Sequence, residues 1–150
     1  MAGKTRLVVV ALAAVAVLMT MGVAAWAGGY APQKVVYHIN SKDLKTIGGA
    51  LRNIQNHINA VGEDKLDIIV VVHGGGHVMF RKGKTNDQII SKIKSLQKQG
   101  VKFDQCAVTL QRKHLSLNKD MVIITEENLV PSGVAEIAKL QQEGYVYIKP

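Results

Sequence analysis

The sequence predicts an α/β domain in which a mainly parallel sheet lies between helical layers. Two observations carry this. β-Branched runs alternate along the chain with stretches whose apolar residues recur at helical spacing, joined by short connections. Leu66–Val72 is an almost unbroken apolar run, as expected of a strand covered on both faces.

Each element has its own signal. Residues 34–39 (Lys-Val-Val-Tyr-His-Ile) read as strand 1. Ser41 or Asp43 caps a helix whose Leu44, Ile47, Leu51, Ile54, Ile58 and Val61 share one face, and Gly62 ends it. Strand 2, at 66–72, runs into a glycine turn at 74–76. Thr85-Asn86-Asp87-Gln88 has capping-box spacing and opens a helix that buries Ile89, Ile90, Ile93 and Leu96 and stops at Gly100. Strand 3 is expected at 101–105, a short helix at 107–115, and strand 4 at 120–125 (Asp-Met-Val-Ile-Ile-Thr). Ser132 caps a last helix carrying Val134, Ile137, Ala138 and Leu140, which Gly144 ends, and 145–148 closes the sheet as strand 5. The chain has no internal repeat and no low-complexity tract.

The first 27 residues read as an export signal. Lys4 and Arg6 form a positive head, an apolar stretch follows from Leu7, and Ala25-Trp26-Ala27 has the small-x-small pattern of a leader-peptidase site. Cleavage is expected after Ala27, leaving a short lead-in at 28–33 and one domain at 34–150. The competing reading is an uncleaved anchor, since the apolar run has the length of a bilayer span. In both readings the folded part faces an extracytoplasmic, expected periplasmic, space. The leader holds two of the cations behind the formal net charge of +8. The remaining lysines are scattered at helix-surface spacing, so the basic balance reads as a solvated face, with no nucleic acid expected. An acidic partner protein is compatible with it. Trp26 belongs to the leader, Tyr30 lies on the lead-in, and neither is assigned a role.

Chemistry in open α/β sheets collects outside the carboxyl ends of the strands. Those ends carry His38 and Asn40, residues 73–77, 106–109 and 126–133, so three of the five histidines and the only cysteine fall on one rim. A lone cysteine in an exported chain closes no internal disulfide. It is inert and buried, paired with another chain, or a working thiol. Cys106 is predicted at a helix start, where unpaired N–H groups stabilise a thiolate. Thr109, three residues on, is placed to donate a hydroxyl hydrogen bond to the sulfur, and His73 to supply charge or a proton. Set against this, free cysteine is among the most buried residue types.

His73-Gly-Gly-Gly-His77 is similar to the oxyanion loop of lipases and esterases, but the chain lacks the Gly-x-Ser-x-Gly elbow those enzymes need. Three uses of the segment stand: a zinc or copper site built from His73, His77 and Cys106, backbone donors for an anion, or a tight turn. His38 alternates with Tyr37 and has a core imidazole as its plain reading. His57 is expected on a helix surface. Arg112, Lys113 and His114 read as a solvated face that an anionic partner would also suit.

Four segments together resemble the DsrE/DsrF-like family of small sulfur-relay proteins, in its exported single-domain branch. They are the opening strand Lys-Val-Val-Tyr-His-Ile; Ile-Ile-Val-Val-Val-His73-Gly74; Gly-Val-Lys-Phe-Asp-Gln-Cys106-Ala-Val-Thr109-Leu; and residues 130–150, which begin Val-Pro-Ser-Gly-Val-Ala-Glu and end Gly-Tyr-Val-Tyr-Ile-Lys-Pro. The three glycines after His73 depart from the usual pattern of one glycine, often with a proline. The resemblance implies a three-layer α/β/α fold with a five-stranded sheet, assembly as homotrimers or hexamers, and a Cys106 that matches the cysteine which accepts sulfane sulfur as a persulfide.

The function expected is therefore a sulfur carrier, sulfurtransferase-like if active. Cys106, His73 and Thr109 are its chemical residues, and His38, Asn40, Gly74, His77 and Ser132 its binding residues. The partners expected are a donor or acceptor protein or a small sulfane-sulfur compound, and no cofactor is expected. The alternative is an oligomeric module that binds a small ligand or metal around an inert cysteine.

Overall fold

Buried on both faces from Ile68 onward, strand β2 (Leu66–Val72) is the middle strand of a five-stranded sheet. The computed structural model describes residues 29–150, and the folded unit runs from Pro32 to Pro150. The predicted leader, with Trp26 and the Ala27 cleavage point, lies outside the described residues, as does Gly28. β2 is flanked by β1 (Gln33–Ile39) and β3 (Lys102–Cys106). β5 (Val146–Ile148) lies outside β1, and the two-residue β4 (Leu129–Val130) lies outside β3. The order is β4-β3-β2-β1-β5, and every pairing is parallel.

Helices α1 (Leu44–Val61), α2 (Asp87–Lys98), α3 (Ala107–Arg112), α4 (Leu117–Asp120) and α5 (Gly133–Gln142) make the connections. Right-handed crossovers from β1 through β4 all move one way across the sheet, so their helices collect on one face. The return from β4 to β5 runs the other way and puts α5 on the opposite face. The cores agree. Val35, Tyr37, Ile39, Ile68, Val70 and Val72 pack under α1 and α2, whereas Val36, Ile69 and Val71 pack under Ile137 and Leu140 of α5.

The helix signals act much as read. Asp43 is the N-cap of α1, accepting from the Thr46 hydroxyl at 2.7 Å and the Thr46 N–H at 2.8 Å, and these bonds hold its carboxyl below the usual range. Gly62 ends the helix at φ 101°. At α2 the expected capping box fails. Asn86 is the N-cap, accepting from Ile89 at 3.0 Å, and the Thr85 hydroxyl is buried without a partner.

Other expectations are corrected. Residues 74–76 do not form an isolated turn; they begin a 3-10 helix, Gly74–Phe80, that lies against the end of β1. The helix expected at 107–115 stops at Arg112. Residues 120–125 are not strand 4. Asp120 ends α4, Lys82 donates to its carbonyl, and Met121 makes an antiparallel bridge to Arg81. Ile123 then turns to φ 59°, a left-handed conformation that ends any extended run. Met121 and Ile124 are buried beneath the helical layer, so the apolar residues that suggested a strand serve the core from a loop. On α5, Ile137 and Leu140 are buried as expected, but Val134 is 63% exposed and Ala138 is exposed. His57 is half-buried, bonded to Tyr37 at 2.9 Å and to Gln33 at 2.7 Å.

Candidate functional site

Side chains alternate across a strand, so Phe103 and Gln105 of β3 face α1 and α2 while Asp104 and Cys106 face α5. The same alternation turns His73, which follows β2, and His38, in β1, toward α5. Register adds Tyr147, which pairs beside Val36 on that face. Four adjacent strands, β3, β2, β1 and β5, thus each bring one polar side chain to the same face near their carboxyl ends.

Cys106 is the last residue of β3 and the N-cap of α3. It is only 5% exposed, yet its surroundings are polar as well as aliphatic, and it lines a cavity of about 500 Å³. Burial by itself pushes the thiol up. The Gly133 N–H, the Thr109 hydroxyl and the N–H groups of Thr109 and Val108 more than offset this, so the thiol lies below its ordinary value. The Thr109 hydroxyl is itself oriented, since its oxygen accepts from the Gly74 N–H at 2.9 Å. Its proton is left for the sulfur.

Gly133 opens α5 where any side chain would be crowded. A Cβ there would stand 3.0 Å from His73 Cβ and 3.3 Å from Cys106 Cβ. The missing side chain lets the Gly133 N–H, the first of α5, approach the sulfur. Arg112 and Lys113 also line the cavity, as do Ser132 and Val134, so its wall is cationic on the α3 side.

Behind His73 lies a chain of hydrogen bonds. His73 Nε2 is 2.6 Å from His38 Nε2, and His38 Nδ1 is 2.7 Å from the Tyr147 hydroxyl. The imidazole centroids are 4.6 Å apart with planes inclined 25°, which suits a bond between ring edges. Burial, then the neighbouring His73 and Lys149 charges, hold His38 down to about 4. His73 is also lowered, by burial and then by Lys149. Both rings are thus biased toward the neutral form.

The expected residues divide accordingly. Cys106, His73, Thr109, Gly74 and Ser132 meet at one cavity, and His38 reaches it through His73. Asn40 does not; it lines a separate hollow of about 90 Å³ with Ser41, Thr46 and Lys149. His77 is turned away. It is 4% exposed, its Nδ1 bonds the Gly74 carbonyl at 2.7 Å, and its Nε2 is buried without a partner. The metal set of His73, His77 and Cys106 is therefore not assembled, and among the described residues no three His, Cys, Asp or Glu side chains converge as metal ligands. Gly133, though within the 126–133 segment of the rim, and Tyr147 were not among the expected site residues. A glycine opening a helix beside strand ends is a legible sign of close backbone approach, but nothing local marks Tyr147.

The buried imidazoles also set a pH dependence. His38, His57, His73 and His77 all lie below their ordinary value of 6.5. The unfolded chain therefore takes up protons below pH 6.5 that the fold refuses, and stability falls as pH drops toward 4. Asp104, raised to about 6 by burial and then by Glu136, acts in the opposite sense over the same range. His38 and Asp104 roughly offset one another, and the other three imidazoles tip the balance toward lower stability in acid. The urea unfolding midpoint is expected to be lower at pH 5 than at pH 7, and an equal or higher midpoint at pH 5 would contradict this account.

The family profile described as the DsrE/DsrF-like family matches residues 13–150. Among solved structures, the chain is similar to the protein of unknown function MTH1491 from Methanobacterium thermoautotrophicum. The two are 28% identical, the match covers 79% of this chain and 99% of that one, and the TM-score is 0.67. No curated protein matches.

Proposed function

The chain belongs to the DsrE/DsrF-like family, and from that premise we propose that it carries sulfane sulfur as a persulfide on Cys106. Family membership suggests a sulfur-relay-related role. The observation that carries the finer reading is the polar setting of the sulfur, which lines a cavity while facing the Gly133 N–H and the Thr109 hydroxyl. These donors stabilise the anion in both the thiolate and the persulfide.

The step balances without an external oxidant. The Cys106 thiolate attacks the outer sulfur of a donor R–S–S⁻, a new S–S bond forms, and the donor's S–S bond breaks. R–S⁻ leaves and takes one proton, becoming R–SH, while Cys106–S–S⁻ remains. The reverse attack, by an acceptor thiolate on the outer sulfur, unloads it. Arg112 and Lys113 favour an anionic donor such as polysulfide, whose leaving R–S⁻ is the shortened polysulfide, or thiosulfate, whose outer S–S bond breaks in the same way to release sulfite. The reading extends to an exported protein that works in the periplasm as a homo-oligomer.

Incubation with polysulfide is expected to add the mass of one or more sulfur atoms to the wild-type protein and none to Cys106→Ala. Wild-type protein that gains no mass, or a variant that gains as much, removes the proposal. A second reading, a ligand-binding module with an inert cysteine, draws on the 5% exposure of Cys106. Alkylation of native Cys106 slower than that of a free thiol at pH 7 would favour it.

A further inference from the structure

His73, His38 and Tyr147 form an unbroken hydrogen-bonded line from the thiol cavity to the β5 edge of the sheet. His73 lines the cavity beside Cys106, and at the other end Tyr147 is 39% exposed. His38, between them, lines an outer hollow with Val134, Ile137, Gln141 and Tyr147. We propose that this line is a proton relay. His73 exchanges the proton of the transfer step with sulfur in the cavity, and His38 and Tyr147 position it and connect it to solvent on the far side. The inference rests on the persulfide reading above and adds the route by which that chemistry is balanced.

A relay is needed because the cavity is the sulfur's own approach to solvent. Once a donor fills it, neither the thiol's proton nor the leaving sulfur's has a free path. The two distances permit two arrangements of the same line. In one, Tyr147 O–H donates to His38 Nδ1, His38 Nε2–H donates to His73 Nε2, and His73 carries a proton on Nδ1. In the other, His73 Nε2–H donates to His38 Nε2, and His38 Nδ1–H donates to the Tyr147 oxygen.

Each half of the reaction converts one arrangement into the other. When Cys106 ionises, its proton enters at His73 Nδ1, each bond of the line shifts one proton outward, and Tyr147 releases one to solvent. When R–S⁻ leaves, it takes the His73 Nδ1 proton, the line shifts inward, and Tyr147 is resupplied. No net charge stays on the line, which suits two imidazoles too close together to be cations at once. The groups facing the pair fit this use. Tyr147 and Lys149 approach from β5 and the residues after it, Cys106 from β3, and Arg112 and Lys113 from across the cavity. From α5, Val134, Ile137 and Gln141 face His38, and none of the three titrates.

The test uses the full chain with Tyr147→Phe, His38→Gln and His73→Ala, each checked for an unchanged melting temperature. Polysulfide loading of Cys106 is followed in dilute buffer from pH 5.5 to 8. Tyr147→Phe and His38→Gln are expected to load roughly tenfold more slowly than wild type, and His73→Ala about a hundredfold. Added imidazole should restore Tyr147→Phe to within about twofold of wild type, because a small buffer replaces a lost relay but not a lost structure. Wild-type rates in Tyr147→Phe and His38→Gln, or slow rates that imidazole leaves unchanged, overturn the relay.

A second arm does not depend on sulfur transfer. Nitrogen-15 spectra of the imidazoles should show the His38–His73 pair taking up one shared proton, with Tyr147→Phe shifting the His73 ring nitrogens that Tyr147 does not touch. Independent titration of both rings near pH 6.5 overturns the relay even if Cys106 loads sulfur normally. A wild-type protein that takes no sulfur yet shows the coupled pair removes the carrier reading and with it the relay's use, whereas a protein that loads sulfur without the coupled pair removes the relay alone.

Discussion

Gly76→Ala is expected to destabilise the domain by about 3 kcal/mol or more, lowering the melting temperature by on the order of 10 °C. A Cβ at this position would overlap the Ile39 carbonyl oxygen and stand 2.9 Å from Val72 Cγ1. Neither neighbour yields easily. The Ile39 carbonyl accepts from the His73 N–H at 3.3 Å and belongs to the end of β1, and Val72 is fully buried. The 3-10 helix must lift away from β1, taking His73 and Gly74 with it. The N–H of Gly74 then leaves the Thr109 hydroxyl, so the thiol should lose reactivity in whatever fraction stays folded. Gly83→Ala is the control. Its Cβ meets open space, and its φ of 69° leaves only a left-handed strain of about 1 kcal/mol. Thermal or urea unfolding compares the two, and equal losses would show that crowding at β1 is not what requires Gly76.

Gly133→Ala carries the second large effect, on reactivity. The added methyl stands 3.0 Å from His73 Cβ and 3.3 Å from both Cys106 Cβ and His73 Cδ2. α5 must shift outward by a few tenths of an ångström, which weakens the N–H bond from Gly133 to the sulfur. A hydrogen bond to a charged group contributes about 1.5–3 kcal/mol, and 1.36 kcal/mol is one pKa unit. The thiol midpoint should rise by about one unit or more, and alkylation at pH 7 should slow roughly tenfold. Thr109→Val tests the same pocket from the other side. It removes the hydroxyl bond to sulfur and leaves the Gly74 N–H without its partner. Iodoacetamide alkylation against pH reads both variants, and an unmoved midpoint in both would show that these donors do not hold the anion.

Legibility differed by element. β2 is read to the residue, because a strand buried on both faces is spelled out by its own side chains. Cys106 at the handover from β3 to α3 was equally plain, and with it Thr109 one helical turn on. Residues 120–125 misled because an apolar run reads alike whether a strand or a buried loop uses it. The left-handed Ile123 that separates the two has no sequence mark. His77 misled for a related reason. Three glycines leave a side chain's direction open, and only the seating of the 3-10 helix on β1 turned this imidazole into the protein.

Local patterning alone thus determined the run of strands and helices, the parallel sheet, and the set of strand ends that carries Cys106, His73 and His38. Only the folded chain decided that β5 lies beside β1, and hence that Tyr147, 109 residues from His38 along the chain, completes its hydrogen bonding. It likewise decided that Gly133 closes over a sulfur from the far end of a crossover. The division has a physical cause. Periodicity is set by neighbours within a turn or a pleat, whereas strand order and register are set by how distant apolar faces pack.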